Sequence, residues 1–244
     1  MAYIRTKKVK GKEYQYLVEG YRDQNGKVKQ RTIKYLGAAQ ANNGGNEMVT
    51  TPTQKITFEE YLDYDDGTDN RYELLDGELV VMNPPAKKHF TISRFLVRLF
   101  EDFISHQKLD IEVFTGIGVR TGSNKARIPD VSVIDGKVWR SIPDDASAVV
   151  QVPILLAVEI VSPGAEQISR DYIEKTVEYQ NTGIPEYWIV DPIEQKITVG
   201  VLNNGSYTKT VFTGDSAIRG GTRSEIASYT FPGLKVTAKE IISA

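Results

Sequence analysis

Apolar and polar residues follow two different periods along this chain, and the switches between them mark out its elements. Alternation runs through EYQYLVEGY (13–21) and KVKQRTIKYL (27–36), on either side of a turn at Asn25-Gly26. The two stretches predict a β-hairpin, with YIRTKKV (3–9) as a third strand. Small and polar AAQANNGGNE (38–47) predicts a flexible linker. In TFEEYLDY (57–64), Thr57 with Glu60 three residues later has capping-box spacing and predicts a short helix. RYELLDGELVVM (71–82) predicts a hairpin turning at Asp76-Gly77. The period then lengthens: Ile92, Phe95, Leu96, Leu99, Phe103 and Ile104 recur at helical spacing within HFTISRFLVRLFEDFISHQ (89–107).

Three predicted strands follow, IEVFTGIGVR (111–120), IPDVSVID (128–135) and ILLAVEIVS (154–162). A second helix spans about 168–181 and stops at Gly183, ahead of Pro185. EYWIVDP (186–192) is a further strand, KITVGVLNNGSYTKTVF (196–212) a hairpin at Asn204-Gly205, and FPGLKVTAKEIISA (231–244) an edge segment with a short helix. A strand–helix–strand step implies a parallel crossover in a mixed sheet. ILLAVEIVS and EYWIVD are apolar enough to be its central pair. The fold class is therefore α/β, a mixed β-sheet core flanked by helices, with extra hairpins and a small β-rich module in front. The expected divisions are a module at 1–38, a linker at 39–50 and a main domain at 51–244.

Composition adds a charge asymmetry to this picture. Residues 1–40 hold ten Lys or Arg against three Asp or Glu, so a net charge of −2 splits into +7 there and −9 in the remainder. No apolar run reaches the ~18–20 residues of a membrane span, and the N-terminus has no apolar core of a secretory signal. A cytoplasmic protein is expected, with no membrane partner. The absence of cysteine excludes disulfides, thiolate zinc sites and cysteine nucleophiles.

One residue breaks the apolar pattern where burial should be most complete. Glu159 lies between Val158 and Ile160, and a buried carboxylate needs a shifted pKa, a hydrogen-bonded partner or a metal. Asp130 follows Pro129 at the head of another predicted strand. If the strands are neighbours, two carboxylates meet near one sheet edge and suit a hard cation such as Mg²⁺. Such a site fits metal-assisted phosphodiester hydrolysis. Asp171, Lys175 and Tyr179 share one helix face, so Lys175 can extend toward the carboxylates to position water or stabilise developing charge. Glu73 offers another oxygen, with Glu78 on the other arm of its hairpin.

Each of these has a plainer alternative. Asp130 would serve as a strand-entry cap, Asp171 and Lys175 as a surface ion pair, Glu73 and Glu78 as solvated hairpin residues. Glu159 would form a structural salt bridge, with Lys175 the natural partner. His89 and His106 read as helix-end residues, His89 being the better functional candidate, and Tyr187 and Trp188 as core.

Taken in order, YELLDGEL, the downstream His, IPDVSVI, LAVEIVSPG and DYIEKTVEYQNTGIPEYWIVDP resemble the Uma-two family of restriction-endonuclease-like proteins, within the PD-(D/E)XK nuclease superfamily. The resemblance covers about residues 54–240. It implies a restriction-endonuclease-like fold and Mg²⁺- or Mn²⁺-dependent cleavage of DNA. By position, Asp130 and Glu159 become metal-binding residues, the Ile160 carbonyl a further ligand, and Glu73 the upstream acid. The motif lysine is missing, because Val161 stands where it should be; Lys175 fits the variant in which the lysine has moved to the next helix. The superfamily's habit of dimerising makes a homodimer an expected assembly, although no interface is legible. The first 40 residues resemble the N-terminal segment of some insertion-sequence transposases. With five tyrosines among their basic residues, they suit contact with phosphates. The alternative is a catalytically inactive nucleic-acid-binding or mobile-element accessory protein that keeps the nuclease fold.

Overall fold

A computed structural model describes residues 2–9, 12–22, 28–38, 55–214 and 225–244. The expected linker and the Asn25-Gly26 turn lie outside these residues. In chain order the elements begin with β1 (Ala2–Val9), β2 (Lys12–Arg22), β3 (Val28–Ala38), α1 (Phe58–Leu62), β4 (Tyr72–Leu75) and β5 (Glu78–Val81). Next come α2 (Lys87–Gln107), β6 (Ile111–Phe114), β7 (Gly118–Gly122), β8 (Lys125–Arg127), β9 (Val131–Asp135), α3 (Gly136–Arg140) and β10 (Val149–Val150). After β11 (Leu156–Ile160), one continuous helical stretch contains α4 (Ala165–Ser169), a π-helical turn (Arg170–Glu174) and α5 (Lys175–Thr182). The remainder is β12 (Glu186–Asp191), β13 (Lys196–Asn203), β14 (Ser206–Thr213) and α6 (Ala238–Ser243). The chain divides into two compact units, Met1–Met82 with Ser123–Ala126, and Asn83–Gly122 with Arg127–Ala244.

In the first unit, β1, β2 and β3 form an antiparallel meander, the predicted hairpin with its third strand. The capping box of α1 forms as its spacing requires: Thr57 Oγ1 accepts from Glu60 N at 3.1 Å, and Thr57 N donates to Glu60 Oε2 at 2.8 Å. The turn between β4 and β5 needs positive φ at both central residues, Asp76 at 49° and Gly77 at 87°. Gly77 is required twice over, since a Cβ there would stand 2.8 Å from the Lys55 Cβ.

The second unit is built on a six-stranded mixed sheet in the order β14-β13-β12-β11-β9-β6. β11 and β12 run parallel and every other neighbouring pair is antiparallel. All five residues of β11 and all six of β12 are buried, which makes these strands the predicted central pair. Alternation divides their side chains between two cores. Leu156, Val158, Ile160, Trp188 and Val190 face α2 and α6, where Phe100 meets Trp188 edge-on at 5.6 Å. Ala157, Val161, Tyr187 and Ile189 face α5 through Tyr179. Glu159, being odd-numbered in β11, belongs to this second face.

One predicted strand is divided, and one short helix was not predicted. IEVFTGIGVR is not one strand, because Gly116 at φ 72° breaks it into β6 and β7, and β7 pairs with β10 outside the six-stranded sheet. The short α3 follows β9 directly, capped by Asp135 accepting from Lys137 N at 2.8 Å, and its periodicity was too brief to see in the sequence. Among the described residues, no helix is long and apolar enough to cross a membrane.

Candidate active site

The site is assembled where β9, β11 and the helix between β11 and β12 come together. Val131 pairs with Val158 in the antiparallel ladder, so one further step of register sets Asp130 opposite Glu159. Cross-strand partners share a face, which brings together two carboxylates from separate strands. Asp130 is no cap for its own strand: its Oδ2 accepts from Ile160 N at 2.7 Å, tying it to β11.

Lys175 reaches back to the sheet. Its Nζ stands 2.7 Å from Glu159 Oε2, with both side chains only 3% exposed. The other oxygen, Oε1, accepts from the Tyr179 hydroxyl at 2.5 Å. Asp171 Oδ1 lies 3.5 Å from the same ammonium. The shared face of Asp171, Lys175 and Tyr179 is therefore buried, and the surface-pair alternative is excluded. Asp171 belongs to the π-helical turn immediately before Lys175. Such turns widen a helix locally and recur at functional positions.

Two further side chains complete the surroundings. From the first turn of α2, His89 Nε2 stands 2.8 Å from Asp130 Oδ1, close but not aligned as a hydrogen bond. Its Nδ1 lies 3.3 Å from Ser162 Oγ, just past the end of β11. Asp130 is the most open of the three acids, at 18% exposure. Tyr187 donates its hydroxyl proton to the Asp171 carbonyl at 2.7 Å.

Burial dominates the electrostatics. It raises the Glu159 carboxyl to about 8, against the lowering influence of Lys175, while Asp130 and Asp171 add to the rise. Asp171 is pushed up by burial as well, with Lys175 and Arg170 pulling the other way. The Tyr187 phenol is driven upward by burial and then by the charges of Glu159, Asp171 and Asp130. Glu159 and Asp171 thus face one buried ammonium, and the charge of Asp130 is felt by both, an arrangement rich in hard oxygen donors.

Other buried carboxylates show what a purely structural role looks like. Glu186 accepts from Trp188 Nε1, Tyr229 N, Ser228 Oγ and Thr230 N at 2.7–3.1 Å, so both its oxygens are satisfied by neutral donors. Asp191 accepts from the Tyr172 hydroxyl and the Ile193 and Glu194 amides. In each, neutral donors engage both oxygens. The Glu159 cluster differs in kind.

The remaining candidates fall where their own elements place them. Glu73 sits on β4 in the first unit, opposite Val80 and 1% exposed, so it is not a solvated hairpin residue. Its charge helps raise the Tyr61 phenol to about 12, after burial. His106 only approaches the Asp102 carbonyl, 2.6 Å away on its own helix. Tyr187 and Trp188 are core, as expected. Sequence reasoning marked Lys175 but assigned no role to Tyr179 or Asp171, although their spacing was the signal. Ser162 carried no signal. Among the described residues, no group of three or more His, Asp or Glu is gathered tightly enough to hold a metal by itself.

Comparison with known proteins adds three findings. The family model Uma2, "Putative restriction endonuclease", matches residues 58–238. The N-terminal domain of the IS1634 transposase family matches residues 4–47. The crystal structure of a "putative nuclease belonging to DUF820" from Anabaena variabilis ATCC 29413 aligns with a TM-score of 0.60 and 19% identity, covering 77% of this chain and 98% of that one. At that identity the likeness establishes the fold alone. No curated protein matches the chain.

Proposed function

We propose, from the premise that the chain belongs to the Uma2 family, "Putative restriction endonuclease", that it hydrolyses DNA phosphodiester bonds with the help of Mg²⁺ or Mn²⁺. The observation that carries this reading is the buried Lys175–Glu159 contact of 2.7 Å. It supplies from the helix the cation that Val161 cannot supply from the strand.

The donor set fits a divalent ion. Asp130 and Glu159 would hold it, with the Ile160 carbonyl as a further oxygen, and hard cations favour such ligands together with retained waters. Glu159 is a carboxylate whose surroundings resist its charge, and a bound cation would relieve that resistance. When bound, the ion would polarise a phosphate oxygen and make a bound water more acidic. The Ile160 amide donates to one oxygen of Asp130, and His89 Nε2 stands 2.8 Å from the other. Lys175 would orient the attacking water or offset charge on the phosphate, and its burial magnifies that interaction.

The test is cleavage of supercoiled plasmid in Mg²⁺ or Mn²⁺, by wild-type protein and by Asp130→Ala. Nicking that disappears in the variant is expected. Cleavage unchanged by Asp130→Ala overturns the site assignment. The match of residues 4–47 to a transposase N-terminal domain favours a second reading, an inactive nucleic-acid-binding accessory of a mobile element. That protein would retard DNA in a gel without cutting it, whether or not Glu159 is present.

A further inference from the structure

His89 is the side chain at the site that the metal-binding reading leaves without a task. It belongs to the first turn of α2 and approaches two groups from other parts of the chain. Its Nε2 stands 2.8 Å from Asp130 Oδ1, and its Nδ1 lies 3.3 Å from Ser162 Oγ. Among the described residues, the buried Nε2 has no hydrogen-bond partner. The short approach to Asp130 is therefore not a hydrogen bond, because the ring nitrogen is not aimed at the carboxylate oxygen. An imidazolium paired with Asp130 would turn an N–H onto that oxygen, since charge-assisted bonds are short and strong.

Two neutral tautomers are available to the ring. With the proton on Nδ1, the ring donates to Ser162 Oγ and Nε2 carries a lone pair. With the proton on Nε2, the N–H meets no aligned acceptor. The contacts favour the first tautomer, which sets an unprotonated nitrogen 2.8 Å from a carboxylate oxygen. Two acceptors that close repel unless a positive charge lies between them. Ligands of one divalent ion stand in this relation. Each is roughly 2.1 Å from the ion, so neighbours are about 3 Å apart, with lone pairs aimed at the ion instead of at each other. A ligating histidine commonly donates its second ring N–H to an oxygen that fixes its tautomer and orientation, the place that Ser162 takes here.

Open donor capacity also lies on this side of the site. Both Glu159 oxygens already face donors, Lys175 Nζ and the Tyr179 hydroxyl. Among the described residues, Asp130 has one oxygen so engaged, Oδ2 by the Ile160 amide. The side chains of His89 and Asp130 are 14% and 18% exposed, which gives a cation a way in and leaves room for water. Retained waters would complete the shell, because no three His, Asp or Glu among the described residues gather tightly enough to hold an ion alone.

We propose that His89 Nε2 is a nitrogen ligand of the divalent ion held by Asp130, oriented by Ser162. This rests on the metal-binding reading and deepens it. Mg²⁺ favours oxygen donors, whereas imidazole suits first-row transition ions, so the site takes Mn²⁺ in preference to Mg²⁺.

The test uses Mn²⁺ on the full chain. Calorimetry measures its binding, and pulsed electron paramagnetic resonance detects an imidazole nitrogen bound directly to it. The chain has two histidines, and His106 lies in the last turn of α2, about 25 Å away along the helix. A nitrogen coupling is expected in the wild-type protein, lost in His89→Gln and kept in His106→Gln. Ser162→Ala should keep the coupling and weaken Mn²⁺ binding about 10–100-fold. His89→Gln should weaken Mn²⁺ binding more than Mg²⁺ binding, measured by competition. Mn²⁺ bound by the wild-type protein without a nitrogen coupling, a coupling that survives His89→Gln, or one lost in His106→Gln overturns the proposal and leaves the metal-binding reading standing. Wild-type protein that takes up no Mn²⁺ overturns both. If His89→Gln fails to fold, the wild-type and His106→Gln spectra decide, because the chain holds no third imidazole.

Discussion

Replacing Lys175 by Met keeps the apolar stem of the side chain and removes the ammonium beside Glu159, so it isolates the charge interaction. In the wild-type protein the Glu159 carboxyl is raised from 4.5 to about 8. Between those values the folded protein holds a proton that the unfolded chain has released. The stability contributed is complete below about pH 4.5, declines through the interval and levels off above about pH 8. Lys175 restrains the rise, hence its removal lifts the value further and the decline continues past pH 8. A difference of one proton is worth about 1–2 kcal/mol per pH unit. The limit is the roughly 3–5 kcal/mol typical of a buried pair broken from one side. Denaturant unfolding followed by tryptophan fluorescence in chelator, with Trp188 fully buried as a reporter, measures this directly. The destabilisation caused by Lys175→Met should be level between about pH 6 and pH 8 and grow from there toward about pH 10. A penalty that is the same at both ends reflects lost packing, and would refute the electrostatic account of the site.

Two other substitutions probe the supports of that cluster. Arg127, 1% exposed, donates from Nε to Glu178 Oε2 at 2.7 Å and from Nη2 to Oε1 at 2.5 Å, joining the end of β8 to α5. Arg127→Met should cost about 3–5 kcal/mol in chemical denaturation, with part regained when Glu178→Leu is added; a double variant no more stable than the single one contradicts this. Tyr179→Phe removes the hydroxyl that Glu159 Oε1 accepts, and should cost about 1.5–3 kcal/mol, most of it at alkaline pH. An unchanged melting temperature there would show that the bond contributes nothing.

Much of this architecture was legible because its signals are local. Thr57 with Glu60, the Asp76-Gly77 turn and the alternation of β11 and β12 each act within a few residues, and each formed where it was read. Gly116 shows the limit: a single positive-φ glycine ended one strand and began another, although the apolar pattern ran on across it. The site divides along the same line. Glu159 stood out as a charge in an apolar strand, and Lys175 as the cation on the nearest helix. Ser162 and the buried state of Asp171 left no comparable mark, because a serine after a strand and an acid on a helix are both ordinary in sequence.

By itself, then, the sequence determined most of the strands, the longer helices, the central strand pair and the anomaly at Glu159, since side-chain period and turn chemistry are properties of neighbouring residues. Only the tertiary structure decided which partners that anomaly meets. The register of β9 on β11 set Asp130 opposite Glu159, and α2 delivered His89. A π-helical turn carries Asp171 and leads into Lys175, which stands 2.7 Å from Glu159 and 3.5 Å from Asp171. Those contacts depend on how distant segments pack, where a shift of one residue in register or half a turn of helix would move each charge away from its partner.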